Sequence, residues 1–166
     1  MNTVGIDNGL DGAIVINTGG AIAEIHVMPT ISTGKKRIID IDHLRVILTN
    51  AKELYQPTFF VEIASFHSPG KMALCSTWRT FGNVEAVLTC IKAPREEVQP
   101  QAWQKTFWVR PKIPKGQKFD TKAAALRAAS MIWPDQDWTK NARCKVPHDG
   151  IVDAALIAEY GRRKWK

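Results

Sequence analysis

Cysteine is scarce in this chain. There are three, Cys75, Cys90 and Cys144, an odd number with no C-x-x-C spacing, which argues against both a disulfide framework and a zinc site. No apolar run reaches the roughly 18 residues that a membrane span requires, so no membrane partner is expected. The opening residues, MNTVGIDNG, lack a basic segment and meet an aspartate at position 7, unlike a secretory signal. A cytoplasmic location is therefore expected. Repeats, low-complexity tracts and obvious linkers are also lacking, and nothing calls for a small-molecule cofactor. What is present suits one folded unit over 1–166. The chain has 166 residues and 45% apolar content, within the span of about 100–200 residues that one core serves and too apolar for a disordered chain.

Charge is unevenly spread. Of 23 basic and 16 acidic side chains, residues 1–91 hold 7 and 8, residues 92–145 hold 12 and 5, and residues 146–166 hold 4 and 3. The middle segment thus carries essentially the whole net charge of +7, most densely in RPKIPKGQKFDTK, where Phe119 joins the basic side chains. Basic residues gathered on one segment form a polyanion footprint, because each phosphate contact releases condensed counterions. A solvated basic loop that aids solubility is the competing reading.

The first 28 residues read as three strands, Val4 to Asp7, Gly12 to Asn17 and Ala21 to Met28, joined by Asn-Gly and Gly-Gly turns. A polar stretch from Pro29 to Arg37 reads as a small basic loop. Ile41, Leu44, Ile47, Leu48, Ala51 and Leu54 then recur at helical spacing behind Asp40 or Asp42 as N-cap. Pro57 ends that helix, and TFFVEI (Thr58 to Ile63) is a compact buried strand. Residues 71–93 read as mainly helical and Glu97 to Gln99 as a fifth strand. Further helices are expected from Pro100 through Phe107, from Thr121 to Ile132 behind Asp120, and from about Asp149 to Lys164. A strand meander followed by alternating strand and helix predicts an α/β protein with a five-stranded mixed sheet and helices on both faces, the pattern of the RNase H-like fold.

Ionised carboxylates are rarely buried without partners. Asp7 ends the first strand, and Glu62 lies at the end of the most apolar one. Asp149 and Asp153 stand four apart, on one face of the last helix. Each has an ordinary reading: an Asx turn for Asp7, an ion pair for Glu62, an N-cap for Asp149, a helix-dipole contact for Asp153. Together they are four carboxylates that would repel unless cations held them. Mg²⁺ or Mn²⁺, hard ions with oxygen ligands, would do so. Two such ions about 4 Å apart activate water and stabilise a leaving oxygen in phosphodiester hydrolysis.

The segments GIDNGLDGAI, VEIASFHSPG, PQAWQKTF and HDGIVDAALIAEYGRRK resemble the RuvC family of Holliday-junction resolvases, most closely its bacteriophage branch, over nearly the whole chain. That resemblance implies an RNase H-like fold and a homodimeric, Mg²⁺-dependent endonuclease acting on branched DNA by paired nicks with 5′-phosphate ends, in a host cytoplasm if phage-encoded. It places the catalytic and metal-binding carboxylates on Asp7, Glu62, Asp149 and Asp153. In the bacterial pattern the last acidic pair is three apart, whereas here it is four apart, with Gly150 between. His148 precedes the pair as an auxiliary group or as a local hydrogen-bonding partner. Phe66 falls near the position of a junction-opening aromatic, with ordinary loop packing as the alternative.

For DNA contacts, Lys115, Lys118 and Lys122 come first, with Arg110 and Lys112 behind them. Lys122, near the start of its helix, is placed to face the cleft. Trp103, Trp108, Trp133 and Trp138 read as core or dimer contacts. Met72, Leu74, Trp78, Phe81, Val84, Val87, Leu88 and Ile91 make the second helix apolar over much of its surface, an excess suited to a dimer interface. Two other functions compete: a nuclease of the same fold acting on flaps, single strands or RNA–DNA hybrids, and a DNA-binding protein without chemistry.

Overall fold

The computed structural model describes residues 1–34, 36–64, 70–112, 114, 116 and 118–165. Strands β1 (Asn2–Asp7), β2 (Ala13–Thr18) and β3 (Ala21–Val27) form an antiparallel meander. A separate two-stranded hairpin follows, β4 (Thr30–Thr33) with β5 (Lys36–Ile39). Helix α1 (Ile41–Tyr55) then leads into β6 (Thr58–Glu62), and α2 (Lys71–Cys90) into β7 (Arg95–Val98). Helices α3 (Pro100–Phe107), α4 (Thr121–Ile132) and α5 (Asp149–Lys164) complete the described chain. The main sheet runs β3-β2-β1-β6-β7, with β6 parallel to β1 and β7 parallel to β6. It is the mixed five-stranded sheet that the sequence predicts.

Local chemistry sets the element ends. The Asp40 carboxylate accepts from the His43 N–H at 3.0 Å and caps α1, which stops before Pro57 with Gln56 in the left-handed region at φ 48°. Asp120 caps α4 through the Ala123 N–H at 2.9 Å. Pro100 opens α3, where its missing N–H costs nothing.

Strand alternation divides the core between the two faces of the sheet. Val4, Ile6, Ile14, Ile16, Phe59 and Val61 face α1 and α2. Ala13, Val15 and Phe60 point the other way, into a cluster built with α3, α4 and α5. Helix α5 lies so close on β1 that a Cβ at Gly5 would stand 2.0 Å from the Ala154 carbonyl oxygen and 2.4 Å from the Ala158 nitrogen. Thr3 secures the contact by donating its hydroxyl to the Ala158 carbonyl at 2.8 Å.

Two expectations need correction. The stretch from Pro29 to Arg37 enters a hairpin rather than a loop. Its residues are mostly exposed, with Ile39 as its buried residue, so no apolar alternation marks it in the sequence. Helix α2 ends at Cys90, and its apolar surface is largely spent within one chain. Phe81, Val84, Val87 and Leu88 are buried in the core and Trp78 and Ile91 pack against it, leaving Met72 as the strongly exposed apolar residue at 76%. The excess that suggested a dimer face is therefore small. The four tryptophans do belong to the core, Trp103 and Trp138 buried and Trp108 and Trp133 packed beside them. Among the described residues no helix is long and apolar enough to cross a membrane.

A methyl group at position 5 has nowhere to go, because both obstructing atoms are backbone. Gly5→Ala is expected to lower the unfolding free energy by more than about 2 kcal/mol in urea denaturation, at the upper end of overpacking costs.

Candidate active site

The adjacent, parallel strands β1 and β6 end together. Ile6 pairs with Val61, so Asp7 and Glu62 leave the sheet side by side. Asn8, buried at the same edge, ties the two strand ends by donating its side-chain amide to the Glu62 carbonyl. Helix α5 brings the other two carboxylates. Its start rests on the β1–β2 turn, where a Cβ at Gly150 would lie 2.5 Å from the Asp11 carbonyl oxygen and 2.7 Å from the Gly12 Cα. Gly150 thus serves close approach, and the four-residue spacing of Asp149 and Asp153 carries both onto the face that looks at Asp7.

The electrostatics record this convergence. Burial pushes the Asp7 carboxyl up to about 6, opposed by the Gly9 N–H, which donates to Oδ1 at 3.3 Å, and reinforced by the charges of Asp11 and Asp149. Asp7 therefore makes the Asx-type contact and faces the other acids as well. Burial raises Glu62 to about 8, with the Asp7 and Asp153 charges adding to it and a hydrogen bond from Trp103 working against it. Asp153 rises to about 7 through burial and through the charges of Asp7 and Asp149, against the pull of Lys122. Asp149, half exposed at the rim, is ion-paired with Lys122. A cleft of about 160 Å³ opens there between the starts of α4 and α5, lined in part by Lys122, Pro147, Asp149 and Asp153.

All four carboxylates expected from the sequence therefore share one corner of the fold, and Lys122 does turn toward them. His148, rather than Asp149, is the N-cap of α5: its Nδ1 accepts from the Ile151 N–H at 3.3 Å. This is the local hydrogen-bonding reading of that residue. Arg110, Lys112 and Lys118 are exposed, and Arg110 donates to Gln104 at 2.9 Å. Phe66 and Lys115 lie outside the described residues.

Trp103 is the residue that sequence reasoning missed as part of the site. Its indole N–H donates to Glu62 Oε1 at 2.8 Å, while the ring is fully buried and meets Trp108 edge to face at 5.6 Å. The link runs from β6 through β7, whose Val98 pairs with Glu62, into α3. Nothing local in PQAWQKTF signals a partner 41 positions away.

The donors in this corner are hard oxygens whose mutual repulsion a divalent cation would relieve, so the donor set fits Mg²⁺ or Mn²⁺. Among the described residues, however, no three acidic, histidine or cysteine side chains are arranged to hold a metal ion. The acids converge without forming a closed cage.

Folded carboxyls with raised pKa values hold protons that the unfolded chain releases, so their contribution to stability is present at low pH and lost as pH rises. With Glu62 shifted from 4.5 to about 8, unfolding in EDTA should show falling stability across that window. Glu62→Gln should flatten the fall and leave the variant more stable than the parent protein at the upper end of the window. Trp103→Phe removes the donor that favours the charged form of Glu62. It should therefore move the Glu62 titration upward, read from the side-chain carboxyl ¹³C shift.

No family model matches the sequence, and no curated protein matches it. Two solved structures of Thermus thermophilus RuvC do share its fold. One, in complex with a Holliday junction substrate, superposes with a TM-score of 0.63 at 11% identity, covering 99% of this chain and 96% of its own. The other gives a TM-score of 0.57 at 13% identity, over 99% and 97% of the two chains. The chain is thus similar throughout its length to RuvC and has the RNase H-like fold.

Proposed function

We propose that this chain is a divalent-metal-dependent endonuclease that resolves four-way and other branched DNA by paired nicks leaving 5′-phosphate ends. The observation that carries the reading is the convergence of Asp7, Glu62 and Asp153, all with raised pKa values, at the joined ends of β1 and β6 and under the start of α5. Strongly perturbed carboxyls that face one another mark functional sites more than structural ones. Support also comes from the full-length likeness to a RuvC solved with a Holliday junction substrate.

In this reading Asp7, Glu62, Asp149 and Asp153 hold Mg²⁺ or Mn²⁺, which when bound acidifies water and stabilises a departing 3′ oxygen. Glu62 and Asp153 would have to release the protons that burial keeps on them before they could hold a cation, so cutting should strengthen as pH rises through neutrality. Trp103 holds Glu62 in place through its indole N–H. Lys122, released from Asp149 or shared with it, supplies positive charge at the rim for the scissile phosphate. Arg110, Lys112, Lys115 and Lys118 extend that charge along the DNA, and Phe66 serves at the junction centre. Two cuts placed across a four-way junction need two sites, so two copies of the chain act together.

The test is cleavage of a labelled four-way junction in Mg²⁺, beside linear duplex, a flap and an RNA–DNA hybrid. Near-symmetric paired nicks on the junction are expected, with Asp7→Asn and Asp153→Asn each slowing them by about 100-fold or more, as loss of a preorganised charge in a catalytic site does. Preferential cutting of the flap or hybrid would replace the substrate. Tight junction binding without cutting in Mg²⁺ or Mn²⁺ would overturn the enzymatic reading.

A further inference from the structure

The basic hairpin has a place next to this site. A groove of about 490 Å³ runs between the β4–β5 hairpin and the first half of α2. Lys36 and Arg37 line it from β5 and Arg79 from α2, with the neutral polar side chains of Ser76 and Asn83 beside them; among the described residues none that lines it is acidic. Among the described residues, Lys36 and Arg79 are exposed and take part in no ion pair. Arg37 is paired with Asp11 of the β1–β2 turn, which leaves Lys36 and Arg79 as cations without a counter-charge on a concave surface, an arrangement that draws anions.

The groove borders the β1–β2 turn, which follows Asp7. Leu10 forms part of its wall and stands in the β1–β2 turn, three positions after Asp7. Arg37 donates to Asp11 of the same turn at 2.5 Å, which anchors the hairpin to the loop that carries Asp7. A polyanion lying in the groove would therefore reach the turn that follows Asp7. An anionic, extended occupant matches both the charge of the groove and its border on that turn.

Resting on the nuclease reading above, we infer that this groove binds the sugar-phosphate backbone of the strand being cut, with Lys36 and Arg79 contacting phosphates beyond the scissile one. The contact is assigned to backbone because no aromatic side chain is among the described residues that line the groove, which therefore offers no platform for stacked bases. This places a second basic surface on the DNA path, separate from the segment at 110–122.

Binding of a labelled four-way junction in EDTA, where nothing is cut, tests the assignment across salt from about 50 to about 200 mM. Lys36→Ala and Arg79→Ala should each weaken binding and lower the slope of log affinity against log salt by about one, the signature of one lost phosphate contact. Lys92→Ala, past the C-terminal end of α2, should leave the slope unchanged, and thermal midpoints should confirm that all three variants fold. If the parent protein binds or cuts the junction while Lys36→Ala and Arg79→Ala keep its full slope, the groove assignment is wrong and the nuclease reading stands. If the parent binds no nucleic acid, both fall. If instead the two variants shift the sedimenting mass of the free protein and leave the slope intact, the groove seats a second copy and the inference is overturned.

Discussion

The packing of α5 on β1 is the contact on which the rest of the molecule depends. A helix approaches a strand this closely only where side chains are withdrawn from the interface, and Gly5 and Gly150 withdraw them at two points along it. At Gly5 the helix backbone takes the space of a missing methyl group in the centre of the sheet. At Gly150 the first turn of the helix settles on the β1–β2 turn. The same contact builds the second half of the core, since Ala154, Ala155, Leu156, Ile157 and Ala158 are all fully buried. Stability and the placement of Asp149 and Asp153 thus come from one interface.

That arrangement costs something in electrostatics. Three acids with pKa values of about 6, 7 and 8 sit where burial and mutual repulsion oppose ionisation. A protein selected for stability alone would place apolar or paired residues there. The opposing interactions are few and specific: the Gly9 N–H to Asp7, the Trp103 indole to Glu62, and the charge of Lys122 on Asp153. Elsewhere the fold treats buried charge differently. Glu159, also buried, is held by both Arg162 and Arg163 and is kept below its ordinary value despite burial. One helix therefore carries a doubly paired acid near its end and, near its start, Asp153, which makes no ion pair among the described residues, the contrast expected between a structural ion pair and a candidate functional site.

Positive charge is arranged around this corner and not through it. Lys122 stands at the rim, and Lys36, Arg37 and Arg79 lie on the side of the hairpin and α2.

Much of this was legible in the sequence because it is local. The Asn-Gly and Gly-Gly turns, the apolar run TFFVEI, the caps Asp40 and Asp120 and the period of α5 follow from propensity and spacing within a few residues, and they suffice for the sheet, its helices and the strand-end positions of Asp7 and Glu62. The spacing of Asp149 and Asp153 likewise fixed that they share a face. Three features were decided only by tertiary structure. The β4–β5 hairpin buries too little to leave a periodic signal. The apolar stripe of α2 reads alike whether it meets its own core or a partner, and only the sheet's position shows that the core takes most of it. The Trp103–Glu62 hydrogen bond joins residues from separate elements through the pairing of β6 with β7. Local sequence governs backbone torsions and one-sided burial, whereas which side chain meets which across the fold is set by the packing of elements that are distant along the chain.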